Sequence, residues 1–171
     1  MKHLYAPWRE AWITGEEGSP PEGEEPSCLF CRVFRSPGRD RENLVVHRDD
    51  RALVMLNRFP YNGGHLLVAP RAHLGALDEL EPGDRALLVE LAARGVRLLR
   101  GLYGPHGFNV GINQGAAAGA GIPDHVHLHV VPRWQGDTNF MTTLGEVRVL
   151  SQDLDRVRDE LARAWAEGGR E

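Results

Sequence analysis

Lysine is almost missing from this sequence: Lys2 stands alone beside 19 arginines. Such a skew accompanies GC-rich genomes and warm habitats alike, and composition does not separate them. Cysteine is nearly as scarce, with Cys28 and Cys31 the only two in 171 residues. In a reducing compartment their C-x-x-C spacing points to metal or redox chemistry rather than a structural disulfide. Long apolar runs are missing too. No window approaches the length of a membrane span, and the opening MKHLYAPWREAWI has no stretch suited to a signal peptide. A cytoplasmic protein is expected. Nor does either charge dominate: a net charge of -4 gives no general pull toward nucleic acid or an anionic membrane.

What is present suits one soluble domain, long enough to bury a core, with 42% hydrophobic and 26% charged residues. Residues 14 to 27, TGEEGSPPEGEEPS, are acidic and rich in Pro and Gly, and read as a solvated loop. That loop separates an N-terminal arm, carrying Tyr5, Trp8 and Trp12, from the body, so the expected division is 1–27 and 28–171. The arm's aromatics are expected to pack as core or as a subunit contact. Strand-like runs follow at 44–47, 52–57 and 65–70, with Asn62-Gly63 as a hairpin signal between the last two. Residues 83 to 103 switch to helical spacing and end at Gly104-Pro105. Strand character returns at 108–114 and 125–132. The tail carries Leu154, Val157, Leu161 and Trp165 at helical spacing behind a Ser151 N-cap. Strands and helices are grouped rather than alternating, which predicts an α+β domain with a mainly antiparallel sheet, a long helix and a C-terminal helix. No internal repeat is present.

The segment DHVHLHVVPRW places His125, His127 and His129 at every second position. On an extended strand the three imidazoles share one face, and Val126, Leu128 and Val130 share the other. Two chemistries fit. Three histidines on a strand suit a catalytic zinc with one open position, although Asp124, a carboxylate that could support it, points to the opposite face. Alternatively, the preceding loop NQGAAAGAGIPD offers Gly115, Gly119 and Gly121, whose backbone N–H groups can converge on an anion without Cβ obstruction. A phosphate delivered there would meet a neutral imidazole able to attack phosphorus. His3, His47 and His106 fit neither pattern and read as structural or solvated.

His-Val-His-Leu-His-Val-Val resembles the signature of the histidine-triad (HIT) superfamily of nucleotidyl hydrolases and transferases. LNRFPYNGGHLLVAPRAH (56–73) resembles the family's upstream N-x-x-P…GH-x-L-x-x-P-x-x-H segment. VVPRWQGDTNFM (130–141) resembles the subgroup that includes bacterial diadenosine tetraphosphate phosphorylases. The likeness covers roughly residues 26 to 165 and implies a HIT-like fold with about five strands.

The resemblance makes His127 the nucleophile toward the α-phosphorus and His129 a phosphate contact. It places His65 in the same site, Asn57 at the ribose and Gln114 at the bridging or scissile oxygen. Gly119 and Gly121 would offer backbone N–H groups to phosphate, and Arg133 and Trp134 would flank the acceptor. Many relatives carry Ser or Thr where this chain has Ile122, so phosphate contact rests more heavily on the glycine loop. In zinc-containing relatives C-x-x-C is completed by the histidine of P-x-x-H and the first triad histidine, here His73 and His125. That implies one structural zinc on Cys28, Cys31, His73 and His125. The implied substrates are purine nucleotides or dinucleoside polyphosphates, with orthophosphate as a possible acceptor. Hydrolysis of dinucleoside polyphosphates or nucleoside phosphoramidates is the alternative. A three-histidine metallohydrolase and a non-catalytic nucleotide-binding module are the rivals from other classes. A homodimer is also implied, with Leu87, Leu91, Leu98 and Leu102 giving the long helix more apolar surface than one sheet face needs.

Overall fold

The computed structural model describes residues 28–137 and 153–168. The N-terminal arm with Tyr5, Trp8 and Trp12, His3, the Ser151 cap and the 138–141 end of the phosphorylase-like segment lie outside them.

Five strands form one antiparallel sheet: β1 (Val45–Arg48), β2 (Ala52–Leu56), β3 (Leu66–Pro70), β4 (Gly107–Ile112) and β5 (Leu128–Arg133), in the order β1-β2-β3-β5-β4. Every residue of β2 and β3 is buried, as their uninterrupted apolar runs require of central strands covered on both faces. Helix α1 (Leu29–Arg35) covers one face, and its Phe30 and Val33 pack on Val45, Leu53, Met55, Leu67 and Ala69. Helices α2 (Pro82–Tyr103) and α3 (Leu154–Glu167) cover the other, over Val54, Leu66, Val68, Leu128 and Val130. The α+β class, the five strands and both longer helices agree with expectation; α1 is additional.

Helix α2 starts with Pro82 at its first turn and stops at Gly104, which takes the left-handed conformation (φ 56°). Its contact with the sheet is close at Gly95, where a Cβ would stand 2.9 Å from Leu66 Cδ1. Gly64 sits under the same helix with φ +76°, and a Cβ there would meet Leu99 Cδ2 at 2.8 Å. Gly63 and Gly64 both lie in the turn closed by His65 N on Asn62 O, with Gly64 alone at positive φ, within a loop running from Asn57 to His65 rather than a two-residue hairpin. Helix α3 is capped by Asp153, whose side chain accepts from Arg156 N at 3.0 Å, in place of the expected Ser151. Val157, Leu161 and Trp165 line its buried face. Trp165 stacks with His47 (5.1 Å) and also carries the Arg94 guanidinium over its ring (4.6 Å), which gives His47 its structural role.

Two expectations need correction. The last strand begins at Leu128 rather than His125. Leu128 pairs with Val68, and two residues further along β3 comes Pro70, which has no N–H to donate and whose carbonyl is taken by His125. Val126 N instead donates to Leu74 O at 2.7 Å. The apolar side of the pattern still holds, with Val126, Leu128 and Val130 in the core. The apolar surplus on α2 is also smaller than the sequence suggests. Leu91 is buried, and Leu87 and Leu98 pack against the core. Exposed apolar side chains there are Val89 and Leu102, joined by Val110 on the edge strand β4.

Candidate active site and metal cluster

Cys28 caps the N-terminus of α1, Cys31 lies in its first turn, His73 follows β3 and His125 precedes β5. The fold brings all four together, with their ligand atoms within 4.8 Å of one another. His125 Nε2 donates to Pro70 O at 2.9 Å, so in the neutral ring Nδ1 carries the lone pair. That nitrogen stands 3.3 Å from Cys28 Sγ, 3.7 Å from Cys31 Sγ and 3.3 Å from His73 Nδ1. Cys31 Sγ is in turn 3.3 Å from His73 Nδ1. A tetrahedral zinc with bonds of about 2.3 Å to sulfur and about 2.0–2.1 Å to nitrogen separates its ligand atoms by about 3.3–3.8 Å. The donor set and the His125 tautomer fit such an ion. Among the described residues this is the one group of three or more ligand-type side chains that converges in this way.

His127 is not part of that cluster. Its Nδ1 donates to the carbonyl of His125 at 2.8 Å, leaving the lone pair on Nε2. Burial pushes its pKa below the ordinary imidazole value, partly offset by that hydrogen bond. A neutral, oriented imidazole with a bare Nε2 is the form that attacks phosphorus.

The third histidine is held through a chain. Tyr61 N donates to His65 Nδ1 at 3.1 Å, with Asn57 Nδ2 3.3 Å from the same atom. Nδ1 of His65 is thus an acceptor, so Nε2 carries the proton and donates to His129 Nδ1 at 2.9 Å. Neutral His129 then bears its own proton on Nε2, a hydrogen-bond donor beside His127, whose ring centroid is 4.9 Å away. Tyr61 stacks on His65 at 4.9 Å. The three triad rings therefore have separate engagements: the cysteine cluster, a backbone carbonyl and a second histidine. A metal shared by all three finds no common lone-pair direction here, which argues against the three-histidine metallohydrolase.

Asn57 lies beside His65, and its Oδ1 also accepts from Phe59 N at 3.0 Å. Gln114 is directed elsewhere: Oε1 accepts from Leu77 N at 2.8 Å, and the side chain borders an open cleft with Leu77, Asp78 and Arg85 that no histidine lines. In the glycine loop Gly115 and Gly119 take φ +79° and +80°, and Gly119 and Gly121 are exposed. Ile122 packs against the α1 cluster. Arg133 is committed to Asp137, with Nε to Oδ2 at 2.6 Å and Nη2 to Oδ1 at 2.7 Å, and also donates to Asn109 Oδ1 at 3.1 Å. Trp134 N donates to the same carboxylate at 3.2 Å. His106, exposed, accepts from Gln135 N at 2.9 Å.

Sequence reasoning passed over Asp137 and Asn62. Asn62 Nδ2 donates to Asp137 at 2.8 Å and to Pro132 O at 3.1 Å, tying the 57–65 loop to the end of β5. Asn62 O accepts from His65 N at 3.2 Å, so this clasp reaches the histidine chain. Asn62 had shown only its turn-forming character, and nothing marked Asp137 apart from its place beside Gly136.

A HIT domain family model matches residues 39–136. The chain belongs to the HIT, or histidine-triad, family. It is 36% identical over 168 residues to the AP-4-A phosphorylase of Mycobacterium tuberculosis, covering 97% of this chain and 85% of that protein. It is 33% identical over 136 residues to an uncharacterized HIT-like protein of Methanocaldococcus jannaschii, covering 78% of this chain and 98% of the other. Its fold superposes on the crystal structure of a Zn-bound histidine triad family protein from Mycobacterium smegmatis with a TM-score of 0.66 and 29% identity. That alignment covers 84% of this chain and 96% of the other.

Proposed function

We propose that this protein is a nucleotidyl transferase acting on dinucleoside polyphosphates through a covalent nucleotidyl-His127 intermediate. The observation that carries this reading is the buried His127 ring, whose Nδ1 is held on the His125 carbonyl and whose Nε2 is left to attack. Nε2 bonds to the α-phosphorus as the bond to the leaving polyphosphate oxygen breaks. The Nε2–H of His129 contacts the phosphate and offsets its developing charge. Asn57, His65, Trp134 and the backbone at Gly121 form the substrate side; Gln114 joins them only if it leaves Leu77 N, and the Gly119 N–H only if it leaves Ala116 O. An acceptor oxygen then attacks phosphorus and releases His127.

Likeness to the AP-4-A phosphorylase favours orthophosphate as that acceptor. Arg133 takes part only if its pair with Asp137 yields to the incoming anion. Product identity tests the reading. With diadenosine tetraphosphate and millimolar orthophosphate, ADP plus ATP should form at a phosphate-dependent rate. AMP plus ATP at a phosphate-independent rate makes the protein a hydrolase, and nucleotide binding without turnover makes it a binding module.

Zinc on Cys28, Cys31, His73 and His125 completes the reading as a structural ion, fixing the approach to β5 and leaving His127 metal-free. Residues 28–171 form the catalytic domain, and the protein is cytoplasmic. It is a homodimer joined along β4 and the adjoining end of α2, where Val110 and Leu102 are exposed and, among the described residues, β4 pairs only with β5. Sedimentation at micromolar concentration should give twice the chain mass, and Val110→Asp should shift it to monomer. A native chain that sediments as a monomer removes the dimer.

A further inference from the structure

Phe30 lies within the short span between the two cysteines and is fully buried. Its ring centroid is 5.0 Å from that of His125 and 5.0 Å from that of His127, tilted by 53° and 48°. His127 is therefore held twice by parts of the cysteine cluster. One hold is the carbonyl of His125, whose own side chain ends among the cysteines. The other is an aromatic wall whose backbone is fixed on either side by Cys28 and Cys31.

A single hydrogen bond does not fix an imidazole, because its χ2 torsion is broad and roughly two-fold. Rotation of the ring takes Nδ1 off the carbonyl and Nε2 off any line of attack. Close-packed aromatic contact on one side removes that freedom. Helix α1 has only 7 residues and is too short to hold its place alone. Its anchors include the burial of Phe30 and Val33, two Arg48 bonds, to Val33 O at 3.1 Å and Phe34 O at 3.3 Å, and the Arg71 guanidinium over the Phe34 ring at 5.7 Å. The cysteines occupy the end of α1 that carries Phe30, so the cluster keeps this wall in position.

We propose that Phe30 is a positioning residue for His127, and that the C-x-x-C element serves the candidate reaction by setting this ring against the nucleophile. The proposal rests on the reading of His127 as the nucleophile and is tested in a way that separates the two. Phe30→Leu and Phe30→Ala are compared with the metal-loaded wild type by zinc content, steady-state kinetics with diadenosine tetraphosphate, and ¹⁵N spectra of the His127 ring. Phe30→Leu should keep its zinc and show kcat reduced on the order of ten- to a hundredfold, with little change in KM. The His127 ring should change from one Nδ1-protonated tautomer to a mixture. If Phe30→Ala fails to fold, Phe30→Leu alone decides. A ring spectrum unchanged in Phe30→Leu overturns the proposal whatever the rate does, and loss of zinc in that variant overturns it by assigning Phe30 to the metal. The spectrum reports ring position even if His127 proves not to be the nucleophile, so failure of that reading is seen separately.

Discussion

Replacing His127 with asparagine or glycine should abolish turnover, by a factor on the order of a thousand or more, as when the nucleophile of a covalent mechanism is removed. Binding of nucleotide and zinc content should stay near wild type. The His127 ring points its Nδ1 at the His125 carbonyl and is no part of the four-residue cluster. Asparagine fits the space and can still donate to that carbonyl, so the approach to β5 should persist. Residual activity within about tenfold of wild type refutes the assignment. Loss of metal together with activity would restore the three-histidine site instead.

The second large effect is on stability. Stripping the ion with a chelator, or replacing Cys28 with serine, should lower Tm by about 10 °C or more. Structural zinc in zinc-finger peptides binds with about 10–16 kcal/mol, and about 2–4 °C accompanies each kcal/mol in a domain of this size. The loss is large because the four ligands come from three separated stretches: the start of α1, the turn after β3 and the approach to β5. Elemental analysis of purified protein should find close to one zinc per chain. Absence of metal, with both thiols freely reactive in the folded protein, sinks the site.

The histidine spacing, the paired cysteines and the apolar runs were legible in the sequence because each is a local pattern with one dominant physical meaning. The runs ALVML and LLVAP are apolar throughout, and central strands covered on both faces are what they become. The convergence of His73 and His125 on the cysteines was legible only through the family likeness, since nothing in the spacing joins positions so far apart. The start of β5 was misread because the alternation of side chains continues through His125 and His127, while the ladder stops where Pro70 offers no N–H. Side-chain periodicity carries no information about the partner strand. Phe30 looks like any core aromatic until its two neighbours are known to be histidines. The direction of Gln114 depends on Leu77, a contact between distant segments that no local pattern announces.

The clasp between Asn62 and Asp137 bears on how this scaffold could be re-engineered. Under the proposed function, the stretch from Arg133 to Asp137 is the natural piece to transplant between relatives in order to exchange one acceptor for another. Asp137 accepts from Arg133, Trp134 and Asn62 together, and Asn62 in turn receives the N–H of His65. A transplant that alters position 137 alone leaves Asn62 with only its bond to Pro132 O on that side and slackens the loop behind His129. The unit that travels intact is two loops, 57–65 with 133–137, and chimeras cut between them inherit the donor's acceptor loop on the recipient's misaligned histidines.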